Sequence, residues 1–288
     1  MICLDPPRTT SRQTRPQVAA IRAASARAML EECHFCAHHC GVNRLLSSAG
    51  RCHAGFVTRF FSAQTEVTDE LQLIPAFNVA LSGCDLRCDF CITGGPSWNA
   101  QSGRAFDATA MGARARRALG EGASCVMVLG GEPTIHLPAV LDFVAELPVN
   151  AKLVWKTNGH CSAQARELLE AMFDIWVVDF KFGNDRCGER LAKVRNYLHI
   201  VRENLIWASG NSELIVRHLL MPGHLDCCWK PIAEWLALEL PRVKISLRTG
   251  YWPAWRASRH LELRETLSGE EMKESACFAQ DLGLNLIP

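Results

Sequence analysis

From about residue 77 onward the chain repeats one beat: a short apolar run, a turn, then a stretch with apolar residues at helical spacing. The runs 77–82, 125–129, 153–156, 175–179, 214–220 and 243–247 are rich in Val, Ile or Leu and are bounded by Gly, Pro, Asn or Asp. They predict six strands. Helices are predicted over 107–120, 137–146, 162–172, 187–208, 228–239 and 269–281, with another over 16–32. In the 187–208 helix, Val194, Tyr197, Leu198, Val201, Leu205 and Ile206 give one apolar face for the core. Strands alternating with helices imply a parallel sheet with right-handed crossovers. Six units are too few for a closed eight-stranded barrel. In such architectures chemistry gathers at the C-terminal ends of the strands.

With 288 residues, the chain is long enough for one large domain and an appendage. The pattern divides it into a flexible tail over 1–14, an N-terminal helix and cysteine-rich lobe over 15–75, and the α/β domain over 76–288. The net charge of +1 carries no nucleic-acid footprint. No apolar run approaches the ~18 residues of a membrane span, and Met1 to Arg15 has no signal-peptide core. A cytoplasmic protein is the expectation. Fourteen cysteines change the picture further, because seven of them sit in two tight clusters, at 33–52 and 84–91. Clustering of this kind favours metal over a disulfide framework. Cys3, Cys125, Cys161, Cys187, Cys227, Cys228 and Cys277 are scattered and read as plain thiols.

The second cluster, Cys84-Asp-Leu-Arg-Cys88-Asp-Phe-Cys91, directly follows the first predicted strand. Three thiolates at this spacing suit a four-iron cluster with one iron left open. Zinc fits poorly, since no fourth Cys or His lies nearby to close the site. The first cluster is Cys33, Cys36, Cys40 and Cys52, with histidines 34, 38, 39 and 53 as substitute ligands. Zinc and a second iron–sulfur cluster both satisfy four thiolates, and reduced or redox-active thiols are the alternative. The second strand ends in Gly130-Gly131-Glu132-Pro133-Thr134, where glycines permit close backbone approach. The third ends in Lys156-Thr157-Asn158-Gly159 and the fourth in Asp179-Phe180-Lys181. On the fifth, alternation sends Arg217 and His218 in opposite directions, so at most one faces the lumen. The sixth runs into Arg248 to Pro253, with Tyr251 and Trp252 as contacts or core caps.

CxxxCxxC with Phe90 before its last cysteine resembles the cluster motif of the radical S-adenosylmethionine (SAM) superfamily. That resemblance implies a partial (β/α)6 barrel whose cysteine-rich extension precedes it. It implies a [4Fe-4S] cluster on Cys84, Cys88 and Cys91 whose open iron chelates SAM. The reduced cluster then cleaves SAM to methionine and a 5′-deoxyadenosyl radical, which abstracts hydrogen from a substrate. Gly130, Gly131 and Glu132 are similar to the motif that meets the SAM amino group. Asn158, Asp179 and Lys181 lie in motifs similar to those of pyruvate formate-lyase-activating enzyme, where the lysine approaches SAM and the acid belongs to a cation site. Arg217 is implied as a contact to the SAM carboxylate or ribose. Lys156 stands where many activases have an acid, and the expectation is that its ammonium replaces the cation by pairing with Asp179. CGVNR before Cys52, SGCDLRCDFC, GGEPT, TNG, VVDFKFG and IVRHLLMPG together resemble the PflX-type branch.

Three functions follow from the resemblance: radical chemistry on a small-molecule or peptide substrate, an activase that installs a glycyl radical on a partner enzyme, or a non-catalytic iron–sulfur redox protein. Retention of GGEP, D-x-K and Arg217 argues against the last. The implied partners are the substrate, a reductant such as flavodoxin or ferredoxin, and in the second case a glycyl radical enzyme. Neither nucleic acid nor membrane is among them.

Overall fold

The computed structural model describes residues 13–67 and 70–288. Of the expected flexible tail over 1–14, residues 1–12 lie outside the described residues. In chain order the elements begin with α1 (Arg15–Ala28), β1 (Arg59–Glu66), β2 (Ala76–Leu81), the single turn α2 (Gly95–Trp98) and β3 (Arg104–Ala105). Then come α3 (Ala108–Gly120), β4 (Cys125–Gly130), α4 (Leu137–Ala145), β5 (Leu153–Thr157), α5 (Ala163–Leu169) and β6 (Ile175–Asp179). The chain closes with α6 (Asp185–Ala192), α7 (Tyr197–Asn211), β7 (Glu213–Leu219), α8 (Lys230–Glu239), β8 (Lys244–Arg248), α9 (Gly269–Asp281) and β9 (Asn285–Leu286).

The strands join one sheet in the order β3-β1-β2-β4-β5-β6-β7-β8-β9. Every neighbouring pair from β2 to β9 is parallel. The six strands expected from the apolar runs therefore stand side by side in chain order, as an α/β partial barrel. The wall stays open between its β3 and β9 edges. β1 and β3 fall outside the apolar pattern: β1 reads Arg-Phe-Phe-Ser-Ala-Gln-Thr-Glu, too polar for a buried run, and pairs antiparallel with β2. Each helix start has a local cause. Asp107 accepts from Ala110 N at 2.8 Å, Ser162 from Ala165 N at 3.1 Å, and Asn184 from Cys187 N at 2.9 Å.

The expected helix over 187–208 is in fact two. Lys193 (φ 57°) and Asn196 (φ 52°) are both left-handed, a conformation no helix continues through. Val194 lies in the break, and Ile206 is 50% exposed, so the buried stripe of α7 is Tyr197, Val201, Leu205 and Ala208. The N-terminal helix ends at Ala28 instead of reaching 32, and it presses fully buried Ala19, Ala23 and Ala26 against α4.

Strand alternation sorts the core into two compartments. Outward residues such as Val79, Val128, Trp155, Trp176 and Val216 join the helices in the main core. Inward residues Ala76, Cys125, Met127, Val154, Ile175, Val177 and Ile215, with Leu73, fill the lower lumen. Continuing up the same inward positions leads to Lys156, Asp179, Arg217, Ser246 and Arg248. The lumen thus turns from apolar to charged towards the strand C-termini.

The segment between α1 and β1, which carries the front cysteines, lies across the C-terminal ends of β4 and β5. Ala37 N donates to His160 O at 3.1 Å and Ser162 N to Phe35 O at 3.1 Å. The buried Arg44 guanidinium donates to Ala54 O at 3.0 Å, Ile135 O at 2.6 Å and Gly55 O at 2.9 Å. The first and last of these close the segment on itself, and the Ile135 carbonyl ties it to the barrel.

Candidate active site

The loop leaving β2 carries Cys84 and Cys88 buried and Cys91 partly exposed. It is fixed from several sides. Arg87 N and Asp89 N donate to Ala192 O at 2.9 Å and Leu191 O at 2.8 Å, and Trp98 Nε1 to Cys88 O at 3.4 Å. Arg87 bridges the two cysteine regions, with Nη1 on Cys84 O and Nη2 on Arg51 O, each at 2.8 Å. Phe90 is buried edge-on against Phe182, ring centroids 6.0 Å apart, which joins the cysteine loop to the loop after β6.

Burial pushes the Cys84 thiol well up and the Cys88 thiol up to about 12, with Lys181 pulling the latter back. Alone, such a pocket keeps its sulfurs protonated. A bound iron cluster supplies the positive charge that a buried thiolate needs, and a coordinating thiol is deprotonated outright. Three soft donors on one loop at the strand C-termini therefore fit an iron–sulfur cluster.

The glycine pair after β4 is set by contact with that loop. A Cβ on Gly130 would lie 2.2 Å from Leu81 O, and one on Gly131 2.0 Å from Gly83 O. Gly131 N and Glu132 N instead donate to those same carbonyls at 2.8 and 2.9 Å. The Glu132 carboxylate points to the next strand. It accepts from Thr134 N at 3.0 Å, Thr134 Oγ1 at 2.6 Å, Thr157 Oγ1 at 2.7 Å and Asn158 N at 2.8 Å. Burial, with Asp85 nearby, raises it to about 7.

Asn158 Nδ2 in turn donates to Asp85 Oδ1 at 2.7 Å and faces Cys84 Sγ at 3.7 Å. His160 Nδ1 meets Asp85 Oδ2 at 2.8 Å, and His38 Nε2 meets Asp85 O at 3.1 Å. Burial works to raise the Asp85 carboxyl, but His160 and Asn158 outweigh it and hold it below its ordinary range. A chain of polar contacts thus runs from GGEP through TNG to the first cluster cysteine.

Deeper in the lumen, Asp179 sits between Lys181 Nζ at 2.6 Å and Arg217 Nη1 at 3.3 Å. Burial works to raise its carboxyl, yet those two cations outweigh it and keep it far below the usual range. The Tyr197 hydroxyl accepts from Lys181 N at 2.7 Å and donates to Asp179 O at 3.2 Å, locking the D-x-K turn. Arg217 faces the lumen, on the opposite side of the strand from His218. His218 faces the helices, where Nδ1 meets Phe180 O at 2.7 Å and the ring stacks on Trp229.

Lys156 Nζ pairs with Glu70 Oε2 at 3.4 Å, and its charge also acts on Asp179, behind Lys181 and Arg217. Sequence reasoning missed Glu70. Its carboxylate is fully buried in the lumen, also meeting Arg217 Nε at 3.4 Å, Arg248 Nη2 at 3.5 Å and Ser246 Oγ at 3.1 Å. Asp89 was missed too: it holds His260 at 2.9 Å and Lys193 at 3.2 Å, while its carbonyl accepts from Arg256 N at 2.8 Å. These bonds fold the segment after β8 over the cysteine loop. Within that segment Tyr251 is buried and donates to Leu263 O at 2.8 Å, whereas Trp252 is 67% exposed.

Of the front cysteines, Cys33, Cys36 and Cys52 are buried and Cys40 is exposed. Among the described residues, His, Cys, Asp and Glu groups whose ligand atoms close to within 4.8 Å are His38, Asp85 and His160, and Cys187, His224, Cys227 and Cys228. The first is the hydrogen-bonded chain above. The second corrects the reading of Cys187, Cys227 and Cys228 as scattered thiols. Cys125 is buried, Cys161 is buried and bridged through its backbone to Cys36, and Cys277 is exposed.

The radical SAM superfamily profile matches residues 79–236, more than half of the chain. The chain is 30% identical over 284 residues to the uncharacterized protein MJ0674 of Methanocaldococcus jannaschii, covering 95% of this chain and 81% of that one. Among solved structures, Streptococcus suis SuiB bound to precursor peptide SuiA is similar with a TM-score of 0.54 at 16% identity, over 70% of this chain and 46% of SuiB. A radical SAM methyltransferase from Sphaerobacter thermophilus gives 0.53 at 18%, over 73% and 64%. TYW1 with a lysine-pyruvate adduct bound gives 0.52 at 15%, over 72% and 73%. The chain thus spans about half the length of SuiB, and these likenesses, drawn from different subfamilies, concern the fold and single out no branch. The CxxxCxxC loop at the strand C-termini and the profile running from β2 into α8 agree, and this chain is a member of the radical SAM superfamily of enzymes.

Proposed function

We propose that the chain binds a [4Fe-4S] cluster through Cys84, Cys88 and Cys91 and uses it, with SAM, to abstract hydrogen from a small-molecule or peptide substrate. The observation that carries this reading is the cysteine loop at the strand C-termini, hydrogen-bonded through Asp85 to Asn158 and so to Glu132, beside the inward charges of β6 and β7. When bound, the cluster and SAM supply a 5′-deoxyadenosyl radical. The chain's own residues do the rest. Gly130 and Gly131 bring the β4 loop against the cysteine loop, while Glu132 orients Asn158 beside Cys84. Lys181 and Arg217, held in place by Asp179, present cations towards the SAM carboxylate. Phe90 packs the cluster loop and helps to exclude water. Lys156 and Glu70 brace this layer from below. Exposed Ile92, Trp252 and Trp255 flank the mouth and give a substrate apolar surface to bind.

Residues 15–75 serve this site as one N-terminal unit whose four cysteines hold a second metal beside the first. Zinc and a second iron–sulfur cluster both suit four thiolates there. The placement of these cysteines before the barrel is what favours the PflX-type branch, and a glycyl radical enzyme remains the alternative substrate. Reduction by a flavodoxin or ferredoxin in the cytoplasm completes the reading. The test is spectroscopic. SAM added to the reduced, reconstituted protein should change the cluster's EPR spectrum, and Arg217→Ala should weaken that response at least tenfold in SAM concentration. A wild-type spectrum indifferent to saturating SAM contradicts the proposal.

A further inference from the structure

Beyond the β6 and β7 strand ends, four side chains that the radical chemistry does not use converge on one point. Cys187 lies in the first turn of α6, and His224, Cys227 and Cys228 lie on the π-helical turn that leads into α8. His224 Nδ1 stands 3.7 Å from Cys187 Sγ, 3.3 Å from Cys227 Sγ and 3.5 Å from Cys228 Sγ. Cys227 Sγ is 3.9 Å from both Cys187 Sγ and Cys228 Sγ. Zinc bonds of about 2.3 Å to sulfur and about 2.0 Å to nitrogen give a tetrahedron with edges of roughly 3.8 Å (S···S) and 3.6 Å (S···N). The observed edges match that size. They are far longer than the ~2.05 Å of a disulfide.

We propose that Cys187, His224, Cys227 and Cys228 form a structural zinc site of the Cys3His type, separate from both other cysteine clusters. The surroundings are built for such an ion. His-x-x-Cys-Cys places three ligands on one side of a single turn. Asn184 fixes the fourth: its Oδ1 accepts from Cys187 N, and its Nδ2 donates to Cys227 O at 2.6 Å and towards Cys187 Sγ at 3.4 Å. The far nitrogen of His224 has Arg190 Nη2 at 3.4 Å and the Glu262 carboxylate at 3.8 Å. Arg190, ion-paired with Glu262, offsets the surplus negative charge of three thiolates. Gly183 is required because its Cβ would lie 2.4 Å from Cys228 O. All ligands come from protein, so the site is closed and structural.

Its position gives it a job. The ion staples the loop after β6, which carries Lys181, to the loop after β7, which follows Arg217. Next to Cys228, Trp229 stacks on His218 and extends the staple into the core.

The test is zinc content of the full chain, which does not depend on SAM turnover. Cys187→Ser with Cys228→Ser should lose one zinc per chain relative to wild type, whereas Cys33→Ser with Cys36→Ser should keep that zinc. Differential alkylation of wild-type protein covers the case in which the first variant does not fold. Cys187, Cys227 and Cys228 should resist iodoacetamide together and become labelled after chelation. Equal labelling before and after chelation, an unchanged zinc count in a folded Cys187/Cys228 variant, or a disulfide-linked Cys187–Cys227 peptide each overturns the proposal.

Discussion

Glu132 carries more of the site's geometry than its place in a binding motif suggests. Four donors from two loops end on one buried carboxylate. Glu132→Gln puts an amide donor among them, and leaving buried donors unmatched should destabilise the fold by about 2–3 kcal/mol, measurable as a lower midpoint in chemical denaturation. The pH dependence follows from its raised carboxyl. Between its ordinary value of 4.5 and about 7, the folded chain holds a proton at Glu132 that the unfolded chain has released. That contribution to stability is therefore fully present below the window and is lost as pH rises through 7. The Gln variant should show a flatter profile there than wild type. The cluster cysteines were legible from their CxxxCxxC spacing, and the glycine pair, Asn158 and Arg217 from motifs that resemble those of the radical SAM superfamily, while alternation alone said only that Arg217 and His218 point in opposite directions. Glu70 was not legible, since it precedes the first parallel strand and finds Lys156, Arg217 and Arg248 only once three strands are brought together. Cys187 and His224 were likewise 37 residues apart, and only the His-x-x-Cys-Cys turn hinted at a site.

At the scale of elements, the pattern of apolar runs located six of the seven parallel strands, because most of them are buried on both faces. It failed where structure is set by something else. β1 is an edge element that needs no continuous apolar face, and β3 and β9 are two residues each. The break between α6 and α7 lacks the glycine that usually marks a left-handed residue. It matters functionally, because Leu191 O and Ala192 O at the end of α6 take the backbone bonds of the cysteine loop, and a continuous helix would spend those carbonyls on itself. At Asn196 (φ 52°) a glycine fits and a β-branched residue does not. Asn196→Gly should leave thermal stability near wild type, while Asn196→Val should cost about 1–2 kcal/mol. Equal midpoints for the two variants would show that the left-handed turn is not what separates the helices.

The molecule as a whole is an open α/β barrel with its charged lumen closed from two directions. From one side, the front cysteine segment crosses the ends of β4 and β5 and meets the cluster loop through Arg87 and His38. From the other, residues 251–260 fold over the same loop through Asp89. Among the described residues no helix is long and apolar enough to cross a membrane. At this scale the sequence led to the expectation of a cysteine-rich lobe over 15–75, and how that stretch packs follows only from the bonds of Arg44, Ala37 and Ser162 that join it to the barrel. The central claim is that this enclosure exists to generate a radical from SAM. Its most direct test is anaerobic reconstitution with iron and sulfide, reduction with dithionite, and quantification of 5′-deoxyadenosine after SAM is added. The account predicts 5′-deoxyadenosine from wild type and none above background from Cys84→Ala with Cys88→Ala, in protein that keeps its other metals. A fully loaded, reducible wild-type protein that binds SAM yet releases no more 5′-deoxyadenosine than that variant would contradict it.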